Sequence, residues 1–411
     1  MKSKLFSKVV LAGAVAAVSF GSQAAVEVYN NDDTTVSLDA SFNAFYANTS
    51  TDTTSPDFSS SRDQARIRTG FLPNWFGTTF SKKMGDVTLG GRASFWVSTN
   101  DSNEPGRPTN GLIDTRQFYG TVDASWGQLL IGKDFSLYNR SNIFGDEILL
   151  GYGMTNDTLG LVNGDYVSFG NIGSGYIYPL PTNQITYRSP DMGGFKLAVG
   201  LIDPSRTASA EGDCDSLGPA GVPCTQESAP RIEGELTYNA ALGDSGNLNV
   251  WGGFMSQTSE AADNATGNDV DSQGVSYGAK LKLGGLSLHL SGYDGEGVGF
   301  LVGPADASGL GLGFLVSGAN GDVDSTGALA QASYTLGNTR AVLSYGVSEV
   351  DVTGEAAGEW ENENTTVGLF HSFYPNLIGV VEYSMTEFTI GGSNAYSDEA
   401  DTLAVGLIIN F

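Results

Sequence analysis

The chain has 411 residues, 40% of them hydrophobic and 16% charged, with 56 glycines and two cysteines. Lys and Arg number 20 against 46 Asp and Glu, a formal net charge of -26. Such a charge repels nucleic acid and excludes that class of partner, while 21 Phe, 17 Tyr and 5 Trp are too many for a chain that buries no core.

Residues 1–24 have the form of a secretory signal. Lys2, Lys4 and Lys8 precede an apolar run from Val9 to Phe20, and small residues up to Ala24 offer a cleavage site. That run is too short for a transmembrane helix, which needs about 20 apolar residues. No later stretch approaches spanning length. Residues 25–411 are then expected to be exported, into a compartment that permits disulfides.

From Val36 onward the recurring signal is period-two alternation. Val36 to Ala44 carries apolar residues at every second place. Gln64 to Met84 reads as one strand with a wide bend, or as something longer, which leaves the strand count open by two. A loop at 204–230 holds Cys214 and Cys224, nine residues apart in a Gly- and Pro-rich stretch. Their ends can meet, so a local disulfide is expected. A metal site or reactive thiol is the alternative, but no His or second cysteine pair lies nearby. Alternation returns in Ile232–Tyr238, Val275–Leu283, Leu286–Leu290 and Arg340–Ser348. Short turns such as Leu283-Gly-Gly-Leu286 and Leu336-Gly-Asn-Thr-Arg340 alternate with long acidic connections such as Thr258–Gln273 and Asp351–Asn364.

Short turns on one rim and long loops on the other mark an outer-membrane barrel. Lipid offers no hydrogen-bond partner, so a spanning chain without a spanning helix must close its sheet on itself. The expected fold is all-β: a transmembrane antiparallel β-barrel of about 16 strands occupying residues 25–411. The last segment alternates Leu403, Val405, Leu407 and Ile409 up to a terminal Phe411, which resembles the signal that the barrel-assembly machinery reads during insertion.

Several stretches together resemble the trimeric porins of Gram-negative bacteria, of the general diffusion type. They are Gln64-Ala-Arg-Ile-Arg-Thr-Gly-Phe71, Asp114-Thr-Arg-Gln-Phe-Tyr-Gly120 with Trp126–Asp134, and Asn183–Val199. The resemblance implies a homotrimer whose barrels each enclose a water-filled pore narrowed by an inward-folded third loop, here 135–182. The family's Pro-Glu-Phe-Gly-Gly-Asp loop stretch is absent, and Asn142-Ile-Phe-Gly-Asp-Glu147 is a loose stand-in. A basic residue usual before the post-loop strand is also missing at Leu180-Pro-Thr-Asn183.

Strand parity sorts the charges. Arg66 and Arg68 share a face opposite Ile67, and Arg92 alternates with Ala93 and Phe95; lipid disfavours such arginines at mid-depth by about 2–4 kcal/mol. Arg66, Arg68, Arg92, Arg188, Lys280 and Lys282 are therefore expected to line the lumen. The resemblance adds Lys133 to the constriction, although it shares a face with Leu129 and Ile131. Arg116 has the same conflict beside Phe118, and a rim position or a bulge would resolve either case. Asp146 and Glu147 on the loop are expected opposite the basic wall, giving a transverse field that selects ions. The remaining acids, Glu355, Glu359, Glu361 and Glu363 among them, are assigned to outer loops that meet lipopolysaccharide.

The expected function is passive diffusion of ions and small hydrophilic solutes across the bacterial outer membrane. No catalytic group, metal or cofactor is expected. Asp269-Val-Asp271 and Asp322-Val-Asp324 lack calcium-loop spacing. A pore preferring small carboxylates is the alternative; a barrel enzyme built on His289 and Ser291, or an adhesin, is a more distant one.

Overall fold

The fold follows from side chains that alternate in character along strands of eight or more residues. A computed structural model describes residues 25–100, 112–155, 170–204, 225–261, 269–299, 323–352, 358–392 and 395–411. The signal segment 1–24 and both cysteines, Cys214 and Cys224, lie outside the described residues. The first strands are β1 (Val26–Asn30), β2 (Thr34–Ser55), β3 (Phe58–Arg68), β4 (Asn74–Met84), β5 (Val87–Ser98), β6 (Leu112–Ala124) and β7 (Gly127–Phe135). A short helix α1 (Arg140–Gly145) lies in the connection to β8 (Pro181–Arg188) and β9 (Phe195–Ile202). There follow β10 (Thr225–Gln226), β11 (Arg231–Leu242), β12 (Gly246–Ala261), β13 (Val270–Leu283), β14 (Leu286–Glu296) and β15 (Val323–Leu336). The last four are β16 (Thr339–Val352), β17 (Gly358–Tyr374), β18 (Leu377–Ile390) and β19 (Tyr396–Asn410).

All neighbours are antiparallel, and β19 pairs back onto β2, so the sheet closes. β1 and β10 are short additions, and β3 with β4 forms one interrupted stave, which leaves sixteen staves. β2 pairs with β3 through Phe45–Ser55 and with β4 through Thr34–Ser41. Between them Pro73 has no N–H to give the ladder. The Asn43 side chain replaces the missing pairs: its Nδ2 donates to the Leu72 carbonyl (2.7 Å), and its Oδ1 accepts the Gly70 N–H (2.8 Å). The bend in the Gln64–Met84 segment is therefore a break filled by a neighbouring strand's amide.

Short turns gather at one rim. Gly284 and Gly337 each sit at φ +58°, where a side chain would be strained. Outward positions carry the apolar set: Ile67, Leu89, Phe118, Ile131, Leu290, Leu343 and Val405 are all exposed. Near the turn rim aromatics pair on the outside. Trp126 stacks on Tyr187 with centroids 6.2 Å apart, and Phe195 lies 4.4 Å from Tyr238. This is the interfacial girdle of a membrane barrel.

At the opposite rim the strands continue further than their sequence indicated. Glu359, Glu361 and Glu363 belong to β17 and not to a loop. The register sets Glu361 opposite Glu349, and aligns Glu363, Glu387, Glu399 and Asp52 across β17, β18, β19 and β2. These carboxylates alternate with buried Asn362, Asn364, Thr386, Phe388, Asp398 and Ala400. They therefore form a collar on the outer face, away from the lumen. Paired strands satisfied the backbone, so the ladder extends past the apolar band even though like charges oppose each other across it.

The seam is sealed by the chain's last residue. The Phe411 N–H donates to the Ala40 carbonyl (2.8 Å), the Ala40 N–H donates to the Phe411 carbonyl (3.0 Å), and the Phe411 ring meets Phe42 edge-on at 6.1 Å. Deleting Phe411 removes two hydrogen bonds worth about 1 kcal/mol each together with this contact. The expected result is a lower unfolding temperature and a reduced folded fraction, read from the heat-dependent gel mobility of the purified barrel.

Candidate functional site

The molecule's apolar core sits inside the barrel. The chain between β7 and β8 folds inward, and its Ile143, Leu149, Met154, Ile172 and Tyr176 pack on Trp75, Trp96, Tyr293, Leu329 and Phe388 of the wall. Ile148 and Tyr152 make a second cluster with Phe45, Val342, Phe370 and Ile408. Burying each such side chain contributes about 1.5–3 kcal/mol, enough to hold a loop that has almost no regular structure.

Polar wall residues take up the loop's backbone groups, as burial requires. Glu233 Oε2 accepts the N–H groups of Leu137 (2.6 Å) and Tyr138 (2.8 Å). The Trp251 indole donates to Asn142 Oδ1 (2.7 Å). Glu382 Oε2 accepts the Tyr152 N–H (2.6 Å), and Ser384 donates to the Gly153 carbonyl (3.0 Å). Asn362 donates to the Gly173 carbonyl (2.8 Å), and Ser348 accepts the Gly175 N–H (2.9 Å). These polar contacts run along the arc from β11 to β18, while the loop's apolar residues also reach β2, β4, β5 and β19. Inward side chains that keep partial exposure include Arg62, Gln64 and Arg66 on β3, Arg116 on β6, Arg188 on β8 and Lys196 on β9, together with Lys280 on β13 and Arg340 on β16.

The two acids expected opposite the basic wall, Asp146 and Glu147, are both used internally. Asp146 Oδ1 accepts from Asn171 (3.0 Å) and Gln331 (2.7 Å), and its Oδ2 accepts from the Tyr176 hydroxyl (2.8 Å). Asp146 ties the loop's two limbs to β15 and does not face an open pore. Glu147 reaches four strands. Lys280 of β13 lies 2.6 Å from Oε1 and Arg340 of β16 lies 2.7 Å from Oε2. Ser287 of β14 donates to Oε1 (2.8 Å), and Ser333 of β15 donates to Oε2 (3.1 Å). Burial opposes the charge, but Lys280 and Arg340 outweigh it and hold the carboxyl down at about 2. The expected field between these acids and Arg66, Arg68 and Arg92 is therefore replaced by a docked loop, because the nearest cations are on β13 and β16.

The basic residues divide by role. Arg66 and Arg68 alternate with the exposed Ile67 and point inward; Arg68 is buried and Arg66 half-buried. Arg92 is committed to structure: it forks onto Asp39 at 2.7 and 2.9 Å, and Trp75 donates to the same carboxylate (3.1 Å). Arg188 joins Asp134 (3.3 Å) and Gln128 (2.9 Å). Lys133 pairs opposite Phe118 and follows Ile131 on the outward face. Regular pairing through the end of β7 thus corrects its assignment to the constriction. Arg116 behaves otherwise. A register shift between Ser94 and Phe95 leaves it as an extra residue on β6, and such a bulge re-aims a side chain. Its guanidinium lies 5.2 Å from the Trp96 ring and 5.6 Å from that of Tyr178, donates to the Tyr178 hydroxyl (3.0 Å) and pairs with Asp114 (2.7 Å).

Arg62, Arg340, Ser287, Ser333, Gln331 and Glu382 were not singled out by their sequence. Parity alone places Arg340 with Val342 and Ser344, and Arg62 with Gln64 and Arg66, so both were within reach of the alternation rule. His289 is buried against Trp251, with Nδ1 3.2 Å from the amide oxygen of Gln331; among the described residues no carboxylate is hydrogen-bonded to it.

Two outcomes are expected. Gly346 faces the loop where a Cβ would collide with the Ser174 carbonyl oxygen, so Gly346→Ala should displace that limb and change single-channel conductance while the barrel still folds. Glu147 has a depressed folded-state value, about 2 against an ordinary 4.5. Its stabilising contribution is full above about pH 4.5, declines below it and is lost as pH falls through about 2. The part of the conductance that Glu147 controls, read as the difference between wild type and Glu147→Gln in a bilayer titration, should stay level from pH 7 to about 4 and shift only as pH approaches about 2.

The family model for Gram-negative porins matches residues 9–391. No curated protein matches the sequence. An anion-selective porin from Comamonas acidovorans is similar in structure, with a TM-score of 0.59 at 15% identity over 92% of this chain and 100% of its own. The outer membrane channel DcaP of Acinetobacter baumannii gives 0.62 at 17% identity over 94% and 100%. OmpF of Salmonella typhi gives 0.56 at 14% over 94% and 100%. At these identities the likeness to solved structures is one of fold, and the extent of the family match decides the rest: the chain belongs to the Gram-negative porins.

Proposed function

We propose that this porin favours small anions, short carboxylates among them, and works as a homotrimer. As a member of its family it is an outer-membrane channel for passive diffusion of ions and small hydrophilic solutes. The observation that carries the anion preference is the sorting of charge between the two faces of the wall. Arg62, Arg66, Arg68, Arg92, Arg116, Arg188, Lys196, Lys280 and Arg340 take inward positions. Glu349, Glu361, Glu363, Glu387, Glu399 and Asp52 take outward ones. Inward acids that could offset the bases are mostly paired, as Asp39 is with Arg92 and Asp134 with Arg188. The outer collar is separated from the lumen by the wall, and salt screens it within about 8–10 Å.

The collar sits at the height where lipopolysaccharide headgroups meet a barrel, and the Phe411-sealed strand β19 is the element the barrel-assembly machinery would engage. On this reading Arg188 and the arginines of β3 line the pore, and Asp146 and Glu147 shape it by holding the loop in place. The family and fold point to a channel and lend no support to an enzyme.

Reversal potentials under a potassium chloride gradient test the preference. The expected sign is that of a chloride-preferring pore. Arg62→Gln with Arg66→Gln should lower the chloride-to-potassium permeability ratio about two- to threefold, a change of order 0.5 kcal/mol. A potassium-preferring wild-type channel would overturn the reading. Conductance steps in groups of three would support the trimer.

A further inference from the structure

The Glu147 side chain is, chemically, a propionate tethered to the loop. Around its carboxylate the wall presents an ammonium from Lys280, a guanidinium from Arg340, and hydroxyls from Ser287 and Ser333. These groups come from four adjacent strands of the wall, β13 to β16. They are positioned by ladder register and not by the loop. In the register Lys280 lies beside His289, which lies beside Gln331, and Lys282 lies beside Ser287, which lies beside Ser333. Lys282 stands two residues from Lys280 on the same face and remains exposed. One carboxylate therefore answers two directly bonded cations, with a third nearby.

A further feature separates the site from the loop that fills it. Arg340 also donates to the Glu147 carbonyl (2.7 Å), and Lys280 also donates to the Gly145 carbonyl (2.8 Å). The Glu147 N–H is taken by Gln331 Oε1 (2.8 Å). The loop backbone is thus held beside the site by bonds that do not need the carboxylate. Removing the acid leaves two partly buried cations and two hydroxyls facing a gap. Uncompensated charges in such a place draw in a counter-ion.

We propose that Lys280, Ser287, Ser333 and Arg340 form a receptor for short-chain carboxylates in the pore wall, filled in this state by Glu147 of the porin's own inward loop. The inference rests on the channel reading and deepens its anion preference. A tethered occupant has an effective concentration of the order of millimolar or above. A free carboxylate therefore competes poorly in the wild-type protein and takes the site readily when Glu147 is absent.

The test is chemical rescue of Glu147→Ala in planar bilayers, with sodium propionate added to a chloride electrolyte at constant ionic strength. Propionate should alter the conductance and chloride preference of the variant and move both toward wild-type values. The half-effect concentration should be at least about tenfold below any effect on the wild type, as expected for a hydrogen-bonded ionic contact. Adding Lys280→Met to the variant should abolish the effect. If Glu147→Ala does not fold in chloride, folding becomes the readout: propionate in the refolding buffer should restore the heat-modifiable band. A folded, conducting variant indifferent to propionate, or an unfolded one that propionate does not restore, overturns the receptor. Equal rescue by inorganic phosphate overturns the assignment to carboxylates. A wild-type protein that conducts in no electrolyte overturns the channel reading instead, which keeps the two failures apart.

Discussion

A backbone in hydrocarbon has no partner but itself, and the rest of this molecule follows from that requirement. Each N–H and carbonyl within the membrane must find a ladder partner, so the sheet closes through β19 on β2, with Phe411 completing the seam beside Ala40. Between β3 and β4, where the ladder is interrupted, the Asn43 amide takes its place. Closure fixes which face each side chain takes. With period two, the apolar set goes to lipid and everything else goes inward or beyond the apolar band.

The inside of a closed barrel this wide cannot be filled by wall side chains alone. Here the inward loop fills part of it. Its backbone polar groups would be costly to bury unpaired, and the wall answers them with carboxylates, amides and hydroxyls spaced along β11 to β18. Glu233 and Glu382 accept backbone N–H groups, while Asn362 and Ser384 donate to carbonyls. The apolar residues of the loop then pack into what would otherwise be solvent. The arc carrying Arg62, Arg66, Arg116, Arg188 and Lys196 keeps contact with water.

Much of this was legible in the chain itself, and the boundary of legibility is physical. Alternation in Val36–Ala44, Val275–Leu283 and Arg340–Ser348 marked strands because it depends only on neighbours two places apart. The same rule put Arg66, Arg68 and Arg92 on the inward face. It could not decide Arg116, because the bulge that turns it inward is set by Ser94 and Phe95 on another strand. For Lys133 the alternation pointed outward and the resemblance pointed inward; the register follows the alternation. The end of the acidic segment before Asn364 was misjudged for a related reason. Glu359, Glu361 and Glu363 have low strand propensity, yet pairing with β16 and β18 overrides it. The partners of Glu147 were out of reach altogether. Four residues on four strands converge on it only after closure has set their heights.

The charge count acquires a different meaning once the wall is in place. A net charge of -26 describes a chain whose acids and bases have been separated by a sheet one residue thick. Acids outnumber bases because the outer collar and the loops are acidic, whereas the lumen receives nearly every described arginine. Composition alone would assign an acidic protein a preference for cations. The field a permeating ion meets is instead set by side chains within a Debye length of its path, and those are the inward ones. Several inward acids are hydrogen-bonded to inward bases, as Asp39 is with Arg92 and Glu147 with Lys280 and Arg340, whereas Asp146 and Glu382 are taken up by the loop and its neighbours. Alternation thus does two things with one period: it keeps lipid and water apart, and it separates the charges that select what crosses.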